Sequence, residues 1–239
     1  MFELTALTRE AIEICIMTKN DKVLGQYFTH DNPWARRPWK EFNYWNGWYA
    51  LAKLRQPRRI LEVGTGYGFS TIALARGAGE RLELLVSLDL GIWGSDLKEP
   101  FDNLPYVQEG IERYRQERAL DFVYHQFEVD TQDGWWEHEA LVALMNDTVF
   151  DLVLIDGCHE HDGLYNDLVS FWSYGAQDSL FICDDLQHKD PYRSFSRFVC
   201  ERRIDRSMIW RFLTSTGLYG GSRRRDQGLL LNRWGGRDN

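Results

Sequence analysis

Asp156, His159, His161, Asp184 and Asp185, side chains that can exchange protons or ligate a cation, fall in two short stretches of the chain. "FDLVLIDGCHEH" (150–161) is an apolar run broken only by Asp151, and it ends in Asp156 with His159 and His161 close behind. "SLFICDD" (179–185) ends the same way, in Asp184 and Asp185. A third stretch, "EVGTGYGFS" from Glu62 to Ser70, carries Gly64, Gly66 and Gly68 at G-x-G-x-G spacing. Glycines so placed allow a tight turn and close approach of a ligand to the backbone. Each apolar run is short enough for a buried strand, and each turns polar abruptly at its end.

Strands need partners, and the pattern around these three runs supplies them. "RILEVG" (59–64) reads as a first strand, followed by a helix over 69–76 and a second strand, "LELLVSLDL", ending near Asp89. A helix over 107–118, a strand "DFVYHQFEV", a helix over 135–145 and the strand that opens at Phe150 continue the alternation. A helix over 163–172, the strand "SLFICDD" and a helix over 192–203 follow, then two strands, "MIWRFLTSTG" and "GLLLNR", with no helix between them. Alternating strands and helices predict an α/β, doubly wound, mostly parallel seven-stranded sheet, with the last two strands pairing antiparallel at one edge. Ahead of it, residues 1–57 read as a helical extension or cap, with Thr8 capping a first helix and a second over 40–54. Residues 58–239 form the main domain on this reading.

In such sheets ligands bind outside the carboxyl ends of the strands, so the residues just after each strand share one crevice. The glycine turn leads into a helix N-terminus that can hold a carboxylate or phosphate. Asp89, at the end of the second strand, can grip ribose hydroxyls. "DTQD" (130–133), after the third strand, is a polar set able to contact a base. Any one of these alone is ordinary turn chemistry; three at successive strand ends indicate a nucleotide-like ligand.

Together these segments resemble the class I S-adenosylmethionine-dependent methyltransferases. "ILEVGTGYG" is similar to their first motif and "VSLDL" to their ribose-binding strand end. The resemblance implies that Glu62, Gly64, Thr65, Gly66, Tyr67, Gly68 and Ser70 surround the methionine part of S-adenosylmethionine. It places Asp89 on the ribose, Thr131 and Gln132 near the adenine, and Asp156 beside the cofactor. "LIDGCH" followed by "FICDDL" narrows the likeness to the metal-dependent O-methyltransferases of the catechol type and to an antibiotic-tailoring branch with an "IDG-x-H" signature. By that resemblance Asp156, Asp184 and Asp185 bind Mg2+ or another hard divalent cation. Three carboxylates suit Mg2+, Ca2+ or Mn2+ better than zinc. The second residue of the Asp184-Asp185 pair is often Asn in the catechol type. His159 stands where that type has a lysine base, and a histidine suits removal of a hydroxyl proton. The acceptor implied is a small hydroxylated molecule: a secondary metabolite, a sugar or a catechol-like ring. Tyr44, Trp93 and an insertion over 91–105 are expected to close its pocket.

Rival readings fit less well. An "H-x-H-x-D-H" hydrolase motif fails because Asp162 and Gly163 follow His161. An NAD-type oxidoreductase would carry G-x-G-x-x-G. A non-catalytic nucleotide-binding module would not need Asp156, His159, Asp184 and Asp185. "DNPW" (31–34) lacks the second proline of amino-methylating enzymes and precedes the cofactor motif. A formal charge of −8 over 239 residues argues against nucleic acid as a partner. Four widely spaced cysteines without a C-x-x-C pair, and no signal-peptide or membrane-span pattern, predict a cytoplasmic protein off the membrane. Ten tryptophans, with Trp34, Trp39, Trp45 and Trp48 clustered before the main domain, suit a pocket, an oligomer interface or plain packing. A homo-oligomer is compatible with the resemblance, since such enzymes are often dimers or larger.

Overall fold

Apolar residues on both faces of the predicted strands call for helices on both sides of one sheet, and the computed structural model has that arrangement. It describes residues 6–7, 9–14, 46–93, 101–215 and 224–232. In chain order the elements are α1 (Asn46–Arg55), β1 (Arg59–Val63), α2 (Phe69–Ala78), β2 (Leu84–Asp89), β3 (Ile92–Trp93), β4 (Phe101–Asp102) and α3 (Leu104–Arg118). Then come β5 (Val123–Glu128), α4 (Glu139–Asn146), β6 (Phe150–Ile155), α5 (Gly163–Phe171), β7 (Gly175–Cys183), α6 (Lys189–Glu201), β8 (Ile209–Ser215) and β9 (Arg224–Asn232). Residues 6–7 and 9–14 are helical. Thr8, the aromatic residues Trp34, Trp39, Tyr44 and Trp45, and positions 94–100 lie outside the described residues, as does the side chain of Trp93.

Seven strands form one sheet in the order β5-β2-β1-β6-β7-β9-β8, while β3 and β4 pair separately. The five strands from β5 to β7 run parallel. The hairpin β8–β9 is antiparallel, as the missing helix predicts; β9 also opposes β7, so the outermost β8 runs with the parallel set. Side chains alternate between the faces as strand geometry requires. Ile60, Leu85, Leu152, Leu154 and Ile182 pack with Trp48 and Leu51 of α1, Ile72 of α2 and Ile111 of α3. Leu61, Val63, Val153, Ile155 and Phe181 pack with Met145 of α4, Leu168 of α5 and Phe198 of α6. Helix α1 therefore shares the core of the sheet. At Gly77 a Cβ would lie 2.4 Å from the Tyr49 carbonyl oxygen, so glycine is what lets α2 lie this close to α1.

Several boundaries differ from the sequence expectation, and three of them have a plain local reason. The helix expected over 135–145 is a 3-10 turn, Trp135–Glu137, followed by α4. The break falls at His138, whose extended backbone lets Nδ1 accept from the Leu141 amide at 3.3 Å and cap the helix. Helix α6 begins three residues earlier than expected, because a proline such as Pro191 is tolerated in a first helical turn. Strand β7 ends at Cys183, so Asp184 and Asp185 stand just beyond the sheet. Among the described residues, no helix is long and apolar enough to cross a membrane.

Candidate active site

The crevice is built where the carboxyl ends of the neighbouring parallel strands β1 and β6 lie side by side. The Asp156 amide donates to the Val63 carbonyl at 2.8 Å, and the Gly64 amide to Leu88 at 2.8 Å. Gly64 has φ +89, and a Cβ there would sit 2.1 Å from the Asp156 carbonyl oxygen. Only glycine lets the first turn slide under the loop that carries Asp156. Gly68, also left-handed, precedes α2, which has no side-chain cap. Its first backbone N–H groups are the kind that bind a carboxylate or phosphate.

Asp89 braces this turn. Its Oδ2 accepts from the Gly66 amide at 2.9 Å and its Oδ1 from the Gly91 amide at 2.8 Å. Burial pushes the carboxyl up, while the Gly66, Gly91 and Thr65 amides pull it back. Glu62 lies deeper. It is fully buried and accepts from the Thr71 hydroxyl at 2.7 Å and from the Ser87 hydroxyl. Burial raises its carboxyl to about 7, against the hydroxyls of Ser70, Ser87 and Thr71. Ser70 and Thr65 are buried, and Tyr67 packs partly against the core on the α1–α3 side. Glu62 is thus engaged by Thr71 and Ser87 inside the protein, and Ser70 is buried as well, so neither stands open in the crevice.

After β5, the Gln132 side chain is engaged at both ends. Its Nε2 donates to Asp167 Oδ1 at 2.8 Å and reaches the Gly163 carbonyl at 3.3 Å, while its Oε1 accepts from Asn166 at 3.1 Å. Its backbone amide donates to Asp130 at 2.9 Å. Asp167 had no role in the sequence reading. It is fully buried on α5, and burial lifts its carboxyl to about 7, opposed by Thr131, Gln132 and the His159 charge. Its only signal in the sequence is a charged residue on the apolar stripe Leu164–Leu168 of an amphipathic helix.

At the ends of β6 and β7 the acids meet an imidazole. His159 Nε2 lies 3.1 Å from Asp156 Oδ1, and Nδ1 lies 3.4 Å from Asp185 Oδ2. Burial pulls the imidazole down, but the Asp156 hydrogen bond and the charges of Asp156, Asp185 and Asp184 outweigh it, raising His159 to about 9. Gln187 donates to the other Asp185 oxygen. Asp156, His159 and Asp185 each offer a ligand atom, all within 4.8 Å of one another, which is a spacing a single metal ion can span. Asp184 is 1% exposed and stands outside that trio, close enough for its charge to act on His159. His161 has φ +48, and its carbonyl accepts from Ser194 at 3.1 Å, which makes it a residue of the loop's own structure. His188 precedes α6 and joins His159, Lys189, Asp190 and Pro191 around an open cleft of about 480 Å³.

A family model for a methyltransferase domain matches residues 61–186, the span from the glycine turn to just past Asp185. The chain belongs to this methyltransferase family. An O-methyltransferase from Bacillus cereus, solved with S-adenosylhomocysteine, is similar in structure: TM-score 0.53 and 16% identity, over 94% of this chain and 90% of that one. A cofactor-bound protein from MTB is similar at TM-score 0.51 and 17% identity, over 93% of this chain and 89% of that one. A search of curated proteins found no match to the sequence. The class I methyltransferase fold expected from the glycine motif is the fold observed, and the oxidoreductase alternative gives way to it.

Proposed function

We propose that this methyltransferase moves the methyl group of S-adenosylmethionine to a hydroxyl of a small acceptor, with a hard divalent cation of the Mg2+ class held by Asp156 and Asp185. The observation that carries the reading is the meeting of Asp156, His159 and Asp185 beside the glycine turn and at the edge of an open cleft. The residues fit a cation: the Asp156 and Asp185 carboxylates from neighbouring strand ends lie within reach of one point, Asp184 adds charge, and His159 stands beside them as the base. A bound cation would lower the pKa of a chelated hydroxyl and compete for the carboxylates that hold His159 protonated.

The protein's own groups do the rest. The turn from Gly64 to Gly68 and the uncapped start of α2 receive the methionine end, with Asp89 fixing the turn at the ribose side. Thr131 and Gln132 border the nucleobase side. With the Asp156 and Asp185 carboxylates engaged by a cation, His159 would release its proton and, as the neutral imidazole, take the acceptor's proton on a ring nitrogen as the oxygen attacks the methyl carbon. The carbon–sulfur bond breaks with its electron pair going to sulfur, which leaves a neutral thioether. Alignment of oxygen, methyl and sulfur supplies much of the acceleration. The acceptor enters by the cleft lined by His188 and Lys189. The Bacillus cereus protein, an O-methyltransferase solved with the demethylated cofactor, supports the choice of reaction.

Calorimetry should detect S-adenosylmethionine binding and no NAD binding. Mass spectrometry of a panel of hydroxylated acceptors should detect the mass gain of one methylene, lost in EDTA and restored by Mg2+. No S-adenosylmethionine binding would refute the reading, and full turnover in EDTA would remove the cation from it.

A further inference from the structure

Asp167 is a buried acid that methyl transfer, as proposed, does not use. It faces the inside of the protein from α5 between Leu164 and Leu168, two residues of the apolar core, where a leucine would meet packing needs alone. A carboxylate without exposure is costly unless its oxygens are satisfied. One oxygen is: Oδ1 accepts from Gln132 Nε2 at 2.8 Å. The other, Oδ2, meets no hydrogen-bond partner among the described residues. It faces the turn after β6, where a Cβ on Gly157 would lie 3.3 Å from it. Gly157 follows Asp156 and stands two residues before His159. A single side chain therefore bonds to Gln132 in the loop after β5 and lies close to Gly157 in the loop after β6, while Gln132 also reaches the Gly163 carbonyl where that loop enters α5. Asn166, the preceding residue, ties the other end of the Gln132 amide to the same helix.

We propose that Asp167 is a positioning residue that locks the post-β5 loop to the post-β6 loop, holding the nucleobase side and the proton-transfer side of the crevice in one geometry. The assignment of sides rests on the proposed methyl-transfer reading; the lock between loops does not. Gly157 fits this role, since a side chain there would crowd Oδ2 and Val63 Cγ1, each 3.3 Å from its Cβ. The geometry also accounts for Gln132: its amide works toward α5, and the loop it anchors, rather than the amide, faces the ligand.

Two variants test this in the full chain: Asp167→Asn, which keeps shape and one acceptor, and Gln132→Met, which leaves Asp167 intact. The first readout is hydrogen exchange. Each variant should speed exchange about tenfold in both loops, 130–133 and 156–161, since a hydrogen bond to a charged group is worth roughly that factor. Exchange in the strands should not change. Acceleration confined to one of the two loops, or absent, overturns the lock. The second readout is binding of S-adenosylhomocysteine and turnover. Asp167→Asn should weaken binding and lower kcat at saturation, whereas a residue that only packed would lower Tm and leave both unchanged. The double variant should be no worse than the worse single one; additive losses overturn the coupling. Wild-type protein that fails to bind S-adenosylhomocysteine would count against the methyl-transfer reading, and the exchange data would still decide the lock.

Discussion

Replacing Glu62 by glutamine tests the electrostatics of the crevice floor. The carboxyl is fully buried, and its pKa is raised from 4.5 to about 7 by burial. A pKa raised on folding means that the folded state prefers the proton. Its favourable contribution is complete below the unfolded value near 4.5 and is lost as pH climbs through about 7. At about 1.4 kcal/mol per unit, the whole shift corresponds to about 3 kcal/mol, of which about 2 kcal/mol falls between roughly pH 5.5 and 8. Glutamine is close in shape, carries no charge and can accept from Thr71 and Ser87. The stability of Glu62→Gln relative to wild type should therefore rise by about 2 kcal/mol across that interval. Urea unfolding followed by circular dichroism at several pH values measures it, because the difference between the two proteins cancels every other titrating group. A difference that stays flat, or falls with pH, would refute the claim that burial dominates over the three hydroxyls.

Two further outcomes follow from the close approach of the β1 and β6 ends and from the base. Gly64→Ala puts a Cβ 2.1 Å from the Asp156 carbonyl at φ +89, so it should destabilise by more than about 3 kcal/mol or prevent folding. A Tm equal to wild type would mean that the loops part easily. His159→Ala should lower kcat about a hundredfold while leaving S-adenosylmethionine affinity within severalfold, and an unchanged kcat would sink its role as base.

How much of this was legible in the residues differs between scaffold and site. The strand alternation was plain, because buried parallel strands write themselves as continuous apolar runs ending in glycine or acid: "RILEVG", "FDLVLID", "SLFICDD". Helix starts were less plain. The cap at His138 rests on a ring nitrogen accepting from an amide three residues on, and histidine is not a usual cap signal. Asp156, His159 and Asp185 could be placed on one crevice edge from strand order alone. Which carboxylates converge could not. Asp184 and Asp185 are neighbours in sequence, yet the φ of +58 at Asp185 turns the chain so that Asp185, not Asp184, meets His159. Asp167 was invisible because its meaning depends on Gln132 and Gly157, which lie 35 and 10 residues away in the chain.

The distribution of charge gives the crevice its character. Glu62 and Asp89 lie at or near the ends of β1 and β2, Asp156 follows β6, Asp184 and Asp185 follow β7, and Asp167 lies beneath the β6 turn. Burial pushes Glu62 and Asp167 to about 7, so near neutrality each is only part-charged. His159, its pKa raised by these neighbours, stands between Asp156 and Asp185. Acids gathered in a partly dry edge attract positive ligands more strongly than the same acids in water. On the proposed reading two such ligands arrive, a divalent cation and a sulfonium, and transfer of the methyl group removes the sulfonium charge. The field that favours the methylated cofactor then favours its product less. S-adenosylhomocysteine should on this account bind more weakly than S-adenosylmethionine, and neutralising Asp156 to asparagine should narrow the gap. Equal affinities for the two in the wild-type protein, read by calorimetry at matched pH and salt, would show that the acids are screened from the sulfur.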